Sequence, residues 1–220
     1  MSPSLAEIAF HEDRANATKK VVYMGDSANF KYVLNEVGDP FYSERSRFWG
    51  EHLQRSMLDR LGTTTQTAIR NFQAQDLEQL ERVGAFELPS KDVSDKLMHC
   101  FWKYSYPVFP IFNSADFASK YNSGSVSPLL LNAVYMVASF YAPEALLAET
   151  GLGSRYLAAL TFYRRAKALY DADNESDSIT SIQATVLLSN WWGGPMDQKD
   201  TWYWLGIAVG LAQSLGMHRS

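Results

Sequence analysis

Apolar residues in the second half of the chain recur every three or four positions, which is the spacing of one face of an α-helix. The first such stripe, after the expected helix cap Ser90, consists of Val93, Leu97, Cys100, Phe101 and Tyr104. Comparable helical segments follow at 115–121, 154–171, 178–190 and 197–217. No strand-rich region appears among them, so the pattern predicts an all-α, multi-helix, bundle-like domain.

The segment Leu129–Ala142 is apolar nearly all round, with few polar residues inside it. Ser127 and Pro128 mark its start, because a capping hydroxyl followed by proline at the first helical position is a common helix beginning. The run is shorter than the roughly 20 apolar residues that a membrane span needs. We therefore expect a helix buried at the centre of the domain.

The N-terminal part of the chain carries a weaker and more broken pattern. A short apolar run, Val21–Met24, is followed by Ser27, which we expect to cap a helix ending near Val37. Residues 41–60, which include the pair Phe48-Trp49, are expected to form another helix. These elements are consistent with a partly ordered helical arm.

The domain organisation follows from where the strong pattern starts. Residues 63–87 carry scattered apolar positions and predict a partly helical connection. We therefore assign 1–87 to an N-terminal arm or linker with short helices and 88–220 to the helical domain. Because the apolar helix Trp202–Met217 is followed by no further element before Ser220, we also expect the domain to be truncated at its C-terminus.

Charge and cysteine content restrict the possible chemistry. The formal net charge of −4 disfavours independent nucleic-acid binding, which needs a basic face to neutralise phosphates. Cys100 is the single cysteine, which excludes a disulfide framework and a cysteine-based zinc site. Its neighbours predict a buried thiol on a helix. We therefore assign no cofactor, metal-binding or DNA-binding residue within this chain.

The enzymatic alternative is an esterase of the GDSL type with Ser27 as nucleophile. The run before Gly25-Asp26-Ser27 imitates the strand that precedes such a nucleophile. This chemistry also needs a histidine base oriented by a carboxylate. The four histidines are dispersed, at His11, His52, His99 and His218. The required aspartate three residues before a histidine is absent, so we assign no catalytic residue and expect no enzyme.

Several short motifs in the second half occur in a characteristic order. They are Tyr104–Phe112 with its two prolines, Asn113–Phe117, Leu129–Ala133, Tyr163–Ala166, Ser181–Ser189, and Trp202 with Gly206, Ala208 and Ala212–Arg219. Their order and spacing resemble the fungal-specific transcription factor domain, the middle homology region of binuclear zinc-cluster regulators. Upstream, Tyr23–Phe30 is similar to a short element that often precedes this domain.

The resemblance implies a nuclear regulatory domain that controls RNA polymerase II-dependent transcription. Its implied partners are the transcription machinery or another regulator subunit, with a small-molecule effector also possible for the family. DNA and zinc binding are implied only through a six-cysteine cluster, which this chain lacks. Candidates to line an effector cleft are Trp191, Trp192, Trp202 and Trp204. The alternative is a stand-alone helical protein-interaction module.

Overall fold

The computed structural model describes residues 22–23, 48–49 and 63–218. The chain divides into two compact units, Met1–Gly62 and Thr63–Ser220. In the first unit, strand β1 (Val22–Tyr23) pairs antiparallel with strand β2 (Phe48–Trp49), with Val22 opposite Trp49. The described part of the second unit consists of helices and their connections. The predicted all-α class is confirmed.

The helix expected over 41–60 is wrong at Phe48-Trp49, which lie in β2. Aromatic residues favour extended backbone when a partner strand is present, and the residues opposite, Val22 and Tyr23, have the same preference. The helix expected between Ser27 and Val37 lies outside the described residues.

The helices of the second unit are defined as follows. They are α1 (Thr63–Arg82), α2 (Lys91–Cys100), α3 (Ser114–Asn122), α4 (Pro128–Ser139), α5 (Glu144–Glu149), α6 (Arg155–Asp171), α7 (Ser178–Leu188) and α8 (Thr201–Ser214). A π-helical turn, Phe101–Ser105, continues directly from α2. In that turn the amide of Tyr106 donates to the carbonyl of Phe101, five residues earlier, at 3.0 Å.

Helix α1 replaces the partly helical connection that we expected over 63–87. It is continuous because glutamine, glutamate, alanine and arginine favour helix even where no apolar stripe forms. Residues 71–79 are all exposed, and Leu80 is the buried position among residues 71–82. The boundary that we place between residues 87 and 88 stays a prediction, while the compact second unit begins at Thr63.

Helix α4 lies at the centre of the second unit, as its uniform apolarity predicts. Every residue from Leu129 to Ser139 is buried. It packs most extensively against α6 and then α7, and α2 with the π-helical turn covers another side. Because α8 packs mainly on α7, it forms an outer layer of the bundle.

Polar side chains cap several of these helices. Asn113, Ser154, Asp177 and Asp200 each accept hydrogen bonds from backbone amides in the first turn of the following helix. The expected cap Ser90 makes no side-chain hydrogen bond to α2, and neither does Ser127 to α4. Pro128 still occupies the first turn of α4 as predicted. Asp200 explains why the last helix begins at Thr201 rather than at residue 197.

Asn132, buried on α4, and Arg165, half-buried on α6, hold the turn that follows α1. The fully buried Asn132 donates through Nδ2 to the carbonyl oxygen of Ala85 at 3.2 Å. Arg165 donates through Nη1 to the carbonyl oxygen of Glu87 at 2.9 Å and also pairs with the Glu87 carboxylate. Asn132 Oδ1 and Arg165 Nε are buried without a partner. This turn is therefore fixed from the centre of the bundle.

Candidate functional site: the outer face of helix α8

Helix α8 is attached to the bundle through Trp204, which is 0% exposed. Its indole Nε1 donates to the Tyr163 hydroxyl of α6 at 3.3 Å. Tyr163 also stacks on Trp191, with ring centroids 4.8 Å apart and an interplanar angle of 16°. Burial raises the pKa of the Tyr163 hydroxyl, which accepts the hydrogen bond from Trp204. These rings fill the junction of α6, the end of α7 and α8.

The four tryptophans named as cleft candidates occupy two different environments. Trp191 and Trp204 are buried in this junction, 3% and 0% exposed. Trp192 and Trp202 are 67% and 81% exposed. The structure therefore places two of them in filled core and two on the surface. Effector binding stays a prediction.

The side of α8 that points away from the bundle is apolar and open. We call the set Trp202, Gly206, Val209, Gly210 and Gln213 the outer face, since all are exposed and recur at helical spacing. Val209 is 53% exposed, and Trp204 and Ala208 are the buried residues of α8. A helix that is apolar on both sides is typical of one that packs on both sides.

Two glycines flatten the middle of the outer face. A Cβ added at Gly206 or Gly210 would meet nothing within 4 Å. Neither glycine has a positive φ, so the backbone itself does not require glycine. Glycine inside a helix costs about 0.5–1 kcal/mol relative to alanine. A surface that carries two of them is suited to the close approach of another backbone.

The residues considered for catalysis or metal binding lie elsewhere. Cys100 is buried on α2, as predicted, and burial raises the pKa of its thiol. His99 is exposed, and Asp95 binds Lys91 and Tyr121. The hydrogen bond from Lys91 and then that from Tyr121 hold the pKa of the Asp95 carboxyl below its usual value. Asp95 therefore belongs to a surface network joining α2 and α3.

Other candidates fall outside the described residues, namely Ser27, His11 and His52. Among the residues that the structure describes, no group of three His, Cys, Asp or Glu side chains could hold a metal ion. Over the same residues, no helix combines the length and apolarity needed to cross a bilayer.

The sequence pattern predicts the apolar helix but does not show that its two glycines lie on the exposed side. Gly206 and Gly210, four residues apart, were the available signal, since this spacing places both on one side of a helix. The hydrogen bonds from Asn132 and Arg165 to the turn after α1 were not predicted either. Asn132 lies 47 residues from Ala85 and Arg165 lies 78 residues from Glu87, and no local sequence pattern connects them.

Comparison with known proteins relates the chain to fungal transcription factors. The family model described as "Fungal specific transcription factor domain" matches residues 98–220. Cutinase transcription factor 1 beta of Fusarium vanettenii is 34% identical over 67% of this chain and 17% of its own length. Cutinase transcription factor 1 alpha of the same fungus is 31% identical over 91% of this chain and 21% of its own length.

A more distant relative extends the match along the chain. The acetamidase regulatory protein of Emericella nidulans is 25% identical over 99% of this chain and 28% of its own length. The chain thus spans about a fifth of the cutinase factors and just over a quarter of the acetamidase regulator. No solved structure matches it significantly. The family match covers more than half of the residues, and the chain belongs to the fungal specific transcription factor domain family.

Proposed function

We propose that this chain is the regulatory, middle homology domain of a fungal transcription factor and that it controls RNA polymerase II-dependent transcription through protein contacts. Membership of the family and the transcription-factor relatives support a regulatory role. The outer face of α8 is the observation that supports regulation by protein contacts. It is an apolar helix face whose Trp202 is 81% exposed, and such a surface is suited to binding a protein partner.

The same proposal assigns DNA reading to another part of a longer protein. A net charge of −4 opposes the attraction to phosphates on which autonomous DNA binding depends. In a full-length relative, a zinc cluster would read the DNA and would hold the zinc, while this domain needs no cofactor and performs no reaction. The working form would act in the nucleus, with the transcription machinery or another regulator subunit as its partner.

A tethering experiment tests the regulatory role. The full chain is fused to an unrelated DNA-binding domain, and transcription of a reporter carrying the matching operator is compared with that produced by the DNA-binding domain alone. We expect reporter transcription to change in either direction. Equal reporter transcription with both proteins, at equal protein levels, would contradict the proposal.

A gel-shift assay tests the assignment of DNA reading. The isolated chain is titrated into labelled DNA at moderate salt, and we expect no sequence-specific shift. A tight shift that competitor DNA of unrelated sequence fails to remove would show that the chain reads DNA itself.

A further inference from the structure

Helix α1 contacts the bundle near its C-terminal end. Between residues 71 and 88 the buried residues are Leu80, Gly84 and Ala85, and the others are exposed. Gly84 has a φ of +64° and ends the helix, since its amide and that of Ala85 donate to carbonyl groups of the last turn at 3.0 and 2.9 Å. We call residues 63–88 the strap, because both of these hydrogen bonds lie inside it.

Two side chains of the bundle hold the strap. Asn132 donates through Nδ2 to the carbonyl oxygen of Ala85 at 3.2 Å. Arg165 donates through Nη1 to the carbonyl oxygen of Glu87 at 2.9 Å and through Nη2 to its carboxylate at 2.5 Å. The Glu87 side chain is 72% exposed, whereas that of Arg165 is 14% exposed. The attachment thus combines little apolar burial with hydrogen bonds from a buried amide and a half-buried guanidinium.

The same two side chains each keep one polar atom unpaired. Among the residues that the structure describes, Asn132 Oδ1 and Arg165 Nε are buried and have no hydrogen-bond partner. The amide of Asn132 cannot be reversed, because its Nδ2 also donates to the carbonyl oxygen of Pro128 at 2.9 Å. A buried polar atom without a partner costs free energy, and water removes this cost once it reaches the atom. The docked strap therefore imposes a cost that its release removes.

The strap ends at a fixed point of the bundle. The buried Ser94 of α2 donates through its hydroxyl to the carbonyl oxygen of Pro89 at 3.1 Å, and through its amide to that of Ser90 at 2.8 Å. Leu88 precedes this point and is exposed. Because α2 holds the chain from Pro89 onward, Leu88 is the position at which the strap can turn away.

We propose that the strap docks reversibly: residues 63–88 release from Asn132 and Arg165 as one unit, turning at Leu88, while the rest of the bundle stays folded. Release breaks the hydrogen bonds from two side chains and opens their buried amide and guanidinium to water. The domain then has a docked and a released form, and a partner that binds one form better shifts the balance between them. This motion goes beyond the proposed function and is independent of which partner the outer face of α8 binds.

Native-state hydrogen exchange of the full chain, followed by mass spectrometry in increasing sub-denaturing urea, tests the release. A 20-residue helix alone is marginally stable in water, so the amides of α1 and of the turn after it exchange once the strap is released. We expect them to exchange at least about tenfold faster than those of α4, and to respond less to urea because release exposes less surface than unfolding. Rates equal to those of α4 at every urea concentration would overturn the proposal.

Trp204→Phe separates release from unfolding of the bundle. The variant loses the hydrogen bond to Tyr163 and weakens the bundle equally in the docked and released forms. It should therefore speed exchange in α4 about tenfold and leave exchange in the strap within about twofold of the wild type. If the strap amides speed up as much as those of α4, the strap opens only with the whole bundle and the proposal is wrong.

Gly84→Ala displaces the strap directly. A Cβ at this position would lie 2.7 Å from Glu87 Oε2, so the carboxylate has to move and its pairing with Arg165 weakens. The matched control is Gly124→Ala, because Gly124 ends α3 with a φ of +69° and an added Cβ there meets nothing within 4 Å. We expect strap exchange to rise about tenfold or more in Gly84→Ala and to stay within about twofold in Gly124→Ala. Strap amides as protected in Gly84→Ala as in the wild type would contradict the proposal.

Discussion

Trp204 and Trp202 provide a matched test of how α8 is held to the bundle. They lie two residues apart on the same helix, and the first is 0% exposed whereas the second is 81% exposed. Replacing Trp204 by alanine removes a fully buried indole and its hydrogen bond to Tyr163. Substitutions of this kind cost about 3–5 kcal/mol, a large part of the roughly 5–15 kcal/mol by which domains are stable.

The expected effect can be measured by urea denaturation followed by far-UV circular dichroism. Trp204→Ala should lower the free energy of unfolding by about 3–5 kcal/mol, which corresponds to a fall of roughly 6–20 °C in the unfolding temperature. Trp202→Ala should change it by no more than about 0.5 kcal/mol. Both variants are measured under the same conditions as the wild type.

The conservative variant Trp204→Phe covers the case in which Trp204→Ala fails to fold. It keeps most of the ring packing and loses the donor to Tyr163, so a loss of about 1–2 kcal/mol is expected. If Trp202→Ala were to destabilise the chain as much as Trp204→Ala, the assignment of inner and outer sides of α8 would be wrong.

Two further predictions concern Arg165 on α6 and the buried Tyr135 on α4. Arg165→Met should lower the free energy of unfolding by about 1–3 kcal/mol, because it removes the hydrogen-bond donors to Glu87. The control Arg164→Met, at the exposed neighbouring position, should change it by no more than about 0.5 kcal/mol. Equal effects of the two variants in urea denaturation would show that the hydrogen bonds of Arg165 to the turn after α1 contribute nothing to stability. The free energy of unfolding should also fall above pH 10, because burial raises the pKa of Tyr135 in the folded state. The stabilising contribution of the protonated Tyr135 is present below the unfolded pKa of about 10 and is lost as the pH rises further. The unfolding temperature should therefore decline less between pH 8 and 11 in Tyr135→Phe than in the wild type.

The sequence predicts the helices of the second unit because their apolar positions follow the helical repeat. It also predicts the central place of α4, since Leu129–Ser139 offers no polar side to solvent and is buried throughout. The sequence predicts only a partly helical connection where α1 forms, because α1 consists of good helix formers and carries no apolar stripe.

The inner side of α8 could not be predicted from sequence. Two residues of helix separate Trp202 from Trp204 by roughly 200°, so they point in nearly opposite directions. Because the helix is apolar on both sides, the pattern does not say which tryptophan lies inside. Contact with Tyr163, 41 residues before Trp204, decides it, and only the folded chain shows that contact.

The most direct test of regulation by contact is the tethered reporter with two valine variants. Val209→Lys changes the outer face of α8, whereas Val108→Lys changes another exposed valine, in the loop before α3. We predict that Val209→Lys abolishes the effect of the tethered chain on transcription and that Val108→Lys preserves it, at equal protein levels. An undiminished effect with Val209→Lys would contradict the central claim that this domain regulates through the outer face of α8.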